Sequence, residues 1–286
     1  MKLESKICEM AMIGICSYLV SEITNKGFSL DELKVNCVEL GFSDIPLLDK
    51  DGEINREAID YLSTLNVKYT LHSPTSDEPN SVCVDLGKGE RDLKIMENVF
   101  KIASLLNIKY VVIHGGDING SYHKAYINTL RALKSLINLA NEYSVKIVLE
   151  NLCDNRIGAF PHEFSGLLDD EIGVTLDVGH AYLMCNKYGM SMREYFKMLR
   201  PYIEHVHLHD NFGFVDNHLP LGEGNINWKM VLNELRKCKV KNLILEIRNY
   251  YNEMNVKNSI KLASKGYKKR YVKRLLLREI RVPYIN

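Results

Sequence analysis

The chain has no run of 18 apolar residues, no C-x-x-C pair and no G-x-G-x-x-G after its first apolar segment. Each absence removes a class of protein. Without a long apolar run nothing reads as a membrane span. The seven cysteines, at 8, 16, 37, 83, 153, 185 and 238, are odd in number and scattered. That fits neither a disulfide framework nor a zinc ribbon, and it suits a reducing cytoplasm. The apolar start is interrupted by Glu4 and Glu9 and no A-x-A-like cleavage site follows, so it reads as a first strand and not a signal peptide. The missing glycine fingerprint argues against a doubly wound nucleotide-binding sheet, the second choice of fold.

The overall charge of +1 also excludes little until it is divided along the chain. From Lys257 to Asn286 there are ten Lys/Arg and one acid, which leaves 27 basic against 35 acidic residues in the remainder. A net-negative body does not favour a polyanionic partner. The basic tail, an extension beginning at about residue 250, reads as one or two helices with a solvated basic face, the sharper alternative being a phosphate-contacting surface.

What the chain does have is a repeating alternation. Short, almost wholly apolar runs occur at 12–19, 35–42, 67–74, 108–116, 145–152, 172–180, 203–210 and 242–249. Between them lie amphipathic stretches such as RDLKIMENVFKIASLLN, with apolar residues three and four apart. Nearly continuous apolar strands belong to parallel sheets covered by helices. Eight such units in about 250 residues predict one α/β domain over 1–286, a closed (β/α)₈ TIM barrel.

The strand ends carry the chemistry. Strand three ends at His72, four at His114, five at Glu150, six at Asp177 with His180 just beyond, seven near His207 and eight at Glu246. A parallel barrel brings all C-terminal strand ends to one opening, so these residues are expected to converge. His, Asp and Glu without Cys are ligands for zinc, manganese or a similar divalent ion. On strand seven His205, His207 and His209 alternate with Val206 and Leu208, which puts the imidazoles on one side. His205, the deepest, reads as a core histidine and His207 as a ligand, while His209 is open between the two, with a substrate-binding place if the site acts on a small molecule. His123 and His162 read as surface residues. The following loop adds Asp216, His218 and a glycine-flanked Glu223, with Asn225 and Trp228 expected to open the next helix. Asp210 and Glu223 are placed behind the ligands as hydrogen-bonding support, although Glu223 fits a loop-fixing role equally well.

With LEN (149–151), LDVGH (176–180), HLHDN (207–211), HLPLGEGNI (218–226) and LEI (245–247), the chain resembles the xylose isomerase-like TIM-barrel superfamily. That superfamily includes sugar and sugar-phosphate isomerases and epimerases, and endonuclease IV-type DNA-repair enzymes. The epimerase resemblance implies one metal held by Glu150, Asp177, His207 and Glu246. It also implies Glu150 and Glu246 as acid and base, and His180 or Arg248 orienting a sugar or sugar phosphate. The endonuclease resemblance implies up to three zinc ions on His72, His114, Glu150, Asp177, His180, His207, Asp216, His218 and Glu246, acting on abasic DNA. The chain departs from the endonuclease pattern in two motifs, D-V-G-H for D-T-C-H and H-L-H-D-N-F for H-L-N-D-[AS]-K, and in Cys16 where those enzymes carry histidine. It also lacks a DNA-wedging loop after His72. The expected activity is therefore a metal-dependent isomerase or epimerase, with the phosphodiesterase as the alternative.

Overall fold

The computed structural model describes residues 11–25, 33, 35–76 and 82–266. Eight parallel strands close into a barrel in chain order: β1 (Met12–Cys16), β2 (Cys37–Leu40), β3 (Tyr69–His72), β4 (Tyr110–Ile113), β5 (Lys146–Glu150), β6 (Gly173–Asp177), β7 (Ile203–Leu208) and β8 (Asn242–Leu245). The first and last strands pair, with Ile13 beside Leu243 and Ile15 beside Leu245. Every strand falls inside one of the apolar runs, because strands buried on both faces cannot show polar alternation.

The helices are α1 (Ser17–Asn25), α2 (Arg56–Thr64), α3 (Leu93–Leu105), α4 (Tyr122–Glu142), α5 (Val178–Tyr188), α6 (Met192–Leu199), α7 (Trp228–Leu235) and α8 (Glu253–Gly266). Their apolar faces seal the barrel. On α4, for example, Ala125, Ala132, Leu133, Leu136, Ile137 and Ala140 are buried at helical spacing. Ser121 starts that helix by accepting from the Lys124 N–H.

The alternation is not perfectly regular. The β5–β6 connection holds only a 3₁₀ turn, Pro161–Gly166, while β6–β7 holds two helices. Glu163 fixes the short connection: its buried carboxylate accepts from Gly158 N, Phe160 N and Tyr122 Oη. The start of α7 also differs from expectation. Asn227, not Asn225, caps it by accepting from Met230 N, and Asn225 instead donates to Phe212 O. Of the basic tail, α8 reaches Gly266, and residues 267–286 lie outside the described part. No helix among the described residues is long and apolar enough to cross a membrane.

Candidate metal centre

All the strand-end residues singled out in the sequence meet at one end of the barrel, and Glu150 is the hub. Its Oε2 lies 3.2 Å from both His72 Nε2 and His114 Nε2, and its Oε1 lies 3.3 Å from His207 Nδ1 and 3.5 Å from His180 Nδ1. His207 Nδ1 is in turn 3.8 Å from Asp177 Oδ2 and 3.6 Å from Glu246 Oε1. Strand register explains part of this: Asp177 at the end of β6 pairs with His207 on β7. Three carboxylates at the ends of three strands thus surround one imidazole nitrogen.

A second group lies beside the first. His180 Nε2 and His218 Nε2 approach Asp216 Oδ2 at 3.2 and 3.0 Å, and His209 Nδ1 lies 3.7 Å from Asp216 Oδ1. His209 stacks on His218 with ring centroids 3.8 Å apart, and its Nε2 lies 3.1 Å from Asp177 Oδ1. His209 therefore connects the two groups through Asp177.

The hydrogen-bond network tests whether these residues fit a cation. A carbonyl oxygen only accepts, so a ring nitrogen bonded to one must carry the proton. His72 Nδ1 meets Ser73 O at 2.9 Å, His180 Nδ1 meets Asn151 O at 3.1 Å, and His218 Nδ1 meets Glu246 O at 2.7 Å. In each ring the other nitrogen faces a carboxylate. Such a lone pair needs either a second proton or a shared cation between itself and the anion. His209 Nδ1 and Asp216 Oδ1 are buried with no hydrogen-bond partner. Buried polar atoms seldom stay unsatisfied in a native fold. The separations of 3.0–3.8 Å bracket the spacing of about 3.3 Å that two ligands have when each is 2.0–2.1 Å from a tetrahedral ion. The residues fit a divalent metal.

The electrostatics agree. Burial opposes ionisation of Glu150, yet His207 and His114 hold its carboxyl well below the usual range. Burial likewise works against protonated His207, but Glu246, Glu150 and Glu39 hold its pKa well above 6.5. For His72 the same contest, burial against Glu150, ends at about 9. Burial lowers the pKa of His114 and, with His209, that of His218. A metal would take the place of the extra protons.

The pairing of His72 stabilises the metal-free protein fully below 6.5 and ceases to do so as pH rises through about 9. The thermal midpoint of chelator-treated protein is therefore expected to fall over that interval, and a bound ion should flatten the fall. Calorimetric titration in buffers of different protonation enthalpy should record proton release on metal uptake.

The supporting residues sort differently. Asp210 accepts from Asn211 N, Gly222 N, Ile226 N and Trp228 Nε1, so it organises the β7–α7 loop rather than bonding a ligand histidine. Glu223 accepts from Asn255 Nδ2 on α8, which is the loop-fixing alternative. Arg248 sits at the rim with its guanidinium 5.9 Å from the Tyr18 ring centroid. His205 is fully buried, as its core reading requires. His123 and His162 are exposed. Cys16 is near the mouth, its thiol pushed up to about 12 by burial and by Glu246.

One residue escaped the sequence reading. Glu39, on β2 and 1% exposed, lies 2.9 Å from His205 Nε2 and 2.7 Å from His207 Nε2. Burial opposes its charge, but His205 and His207 hold its pKa well below the ordinary value. Its signal was an acid within the apolar run VNCVELGF.

The family model of the xylose isomerase-like TIM barrel matches residues 30–267. A curated relative from Methanocaldococcus jannaschii, itself uncharacterised, is 29% identical over 222 residues, 76% of this chain and 83% of its own. Among solved structures, a D-tagatose 3-epimerase-like protein superposes with a TM-score of 0.71 at 23% identity, covering 89% of this chain and 96% of its own. An L-ribulose 3-epimerase gives 0.67 at 16% identity, covering 90% and 95%. At those identities the structural likeness speaks for the fold. With the sequence match over most of its length, the chain belongs to the xylose isomerase-like TIM-barrel family.

Proposed function

We propose that the protein is a divalent-metal-dependent isomerase or epimerase of a sugar or sugar phosphate. The observation that carries this reading is the ring of Glu150, Asp177 and Glu246 around His207 Nδ1. These four residues would hold one ion, zinc or manganese by their donor types. When bound, the metal would polarise the substrate's carbonyl and hydroxyl oxygens, making the adjacent C–H more acidic.

The protein's own groups would handle the proton. Glu150 is held ionised, so its carboxylate can accept a proton from the carbon beside the carbonyl. Glu246, immediately after the strand that closes the barrel, would deliver a proton to the opposite face, and the roles exchange for the reverse direction. His180, 7% exposed, and Arg248 at the rim would orient hydroxyls or a phosphate. The solved epimerases of this fold support a small sugar over a larger partner. Incubation of metal-loaded protein with ketoses and their phosphates in D₂O, followed by NMR, tests the proposal. Deuterium should enter at one carbon next to the carbonyl, and no incorporation across the panel would count against it.

One feature favours a second reading. Asp216, His218, His72 and His114 exceed what a single ion needs, and they would supply the two outer ligand groups of a three-zinc phosphodiesterase acting at abasic DNA. Such an enzyme should nick a duplex carrying one abasic analogue in a chelator-sensitive way. An intact duplex after long incubation with zinc removes that reading.

A further inference from the structure

We infer that Glu39 is a positioning residue that fixes His207 with Nε2 protonated and Nδ1 offered to the metal. This rests on the reading of His207 as a ligand. Glu39 comes from β2, which supplies none of the strand-end residues, and reaches across the interior to β7. Its Oε2 accepts from Thr70 Oγ1 at 2.8 Å and lies 2.9 Å from His205 Nε2, while Oε1 lies 2.7 Å from His207 Nε2.

Distance separates this group from the metal centre. Glu39, His205 and His207 are buried together and have the residue types of a cation site. Their separations of 2.7 and 2.9 Å, however, are those of direct ion pairs. Two ligands on one tetrahedral ion would stand about 3.3 Å apart. The contacts around Glu150 and Asp216 run from 3.0 to 3.7 Å and include that spacing. Glu39 therefore holds histidines and does not share an ion with them.

The tautomers follow. An ionised carboxylate only accepts, so the His207 nitrogen facing Glu39 carries a proton. The approach is too bent for a hydrogen bond, and neither His205 Nε2 nor His207 Nε2 has a hydrogen-bond partner, so Glu39 is the polar group each nitrogen faces. Asn242 Nδ2 lies 3.2 Å from His205 Nδ1, and an amide nitrogen donates, so His205 also presents its proton at Nε2. His205 and Thr70 then steady the carboxylate, and His207 is left as the ring with a free nitrogen in the opening. A carboxylate behind a ligating imidazole orients the ring and makes it more basic. A role in packing alone would not call for a charge here, since apolar residues fill such a volume without desolvation cost.

The test is the Zn²⁺ dissociation constant of the full chain, measured by competition with a chromophoric chelator. Glu39→Gln keeps the shape and removes the charge. It is expected to weaken zinc binding by roughly 10- to 100-fold, the range for such partners, while the metal-free protein melts close to wild type. In ¹⁵N-histidine spectra of the zinc-loaded protein, the His207 Nε2–H resonance should move upfield in the variant. Equal zinc affinity of wild type and Glu39→Gln would overturn the inference and leave the metal site standing. A wild-type chain that takes up no zinc, manganese or cobalt would overturn the proposed function as well. If Glu39→Gln does not fold, Thr70→Val loosens the same carboxylate. A smaller loss of affinity there supports the inference, and no loss overturns it.

Discussion

Glu246→Gln is expected to lower the rate of carbon-bound hydrogen exchange into substrate by roughly 10³-fold, the scale of one general acid–base group. Glutamine keeps the size and one oxygen of the side chain but cannot take a proton. Glu246 sits immediately after β8, its side chain 12% exposed, which leaves it open to the mouth where Asp177 and His207 are fully buried. Its Oε1 is 3.6 Å from His207 Nδ1, so part of any loss can come from weaker metal binding. Assays at several metal concentrations separate the two: a lost ligand is compensated by excess ion, a lost base is not. NMR of substrate in D₂O is the measurement, and a variant that exchanges at the wild-type rate would remove Glu246 from the proton path.

Gly179→Ala is expected to be among the most damaging single-methyl additions in the protein. A Cβ at that position would fall on the His209 ring, touching Cε1, Nε2 and Nδ1. The ring has little freedom to give way, because it is stacked on His218, bonded to Asp177 and entirely buried. Overpacking of this kind costs about 1–3 kcal/mol, a large share of a domain's stability of about 5–15 kcal/mol. It should also displace His209 from Asp216 and so disturb the second ligand group. The measurement is thermal or denaturant unfolding of the metal-free protein. Adding His209→Asn should recover most of the loss, since the smaller side chain vacates the space.

That pair also accounts for two motif departures noted in the sequence. Where endonuclease IV-type enzymes have Cys in D-T-C-H and Asn in H-L-N-D, this chain has Gly179 and His209. They are one change and not two: the imidazole occupies the volume that a side chain at 179 would need. Nothing in the spacing of the two motifs reveals this, since Gly179 opens α5 just after β6 and His209 follows β7, and they meet only when β6 and β7 lie side by side.

The same distinction explains what else was legible. The barrel could be read because parallel strands bury both faces and stand out as apolar runs, and because closure places every C-terminal end at one opening. His72, His114, Glu150, Asp177, His207 and Glu246 were found by that rule. Glu39 was not, because it lies within its strand and contacts His207 from below rather than at the mouth. Asp210 serves a turn instead of a ligand histidine, and Glu223 takes the loop-fixing one of its two expected roles, for a different reason. Carboxylates close in sequence to ligands serve a turn as readily as a metal, and only their partners, the backbone N–H groups and Trp228 for one and Asn255 for the other, decide. The short β5–β6 link is fixed by Glu163 and tyrosine contacts from α4, which no local pattern announces.

Elemental analysis of protein purified without chelator decides whether the strand ends hold a divalent ion on Glu150, Asp177, His207 and Glu246, as proposed. About one divalent ion per chain is expected, lost on His207→Ala and retained on Asp216→Ala. No bound ion would contradict it, and so would two to three zinc ions of which Asp216→Ala removes one together with the activity, a result that belongs to the phosphodiesterase reading.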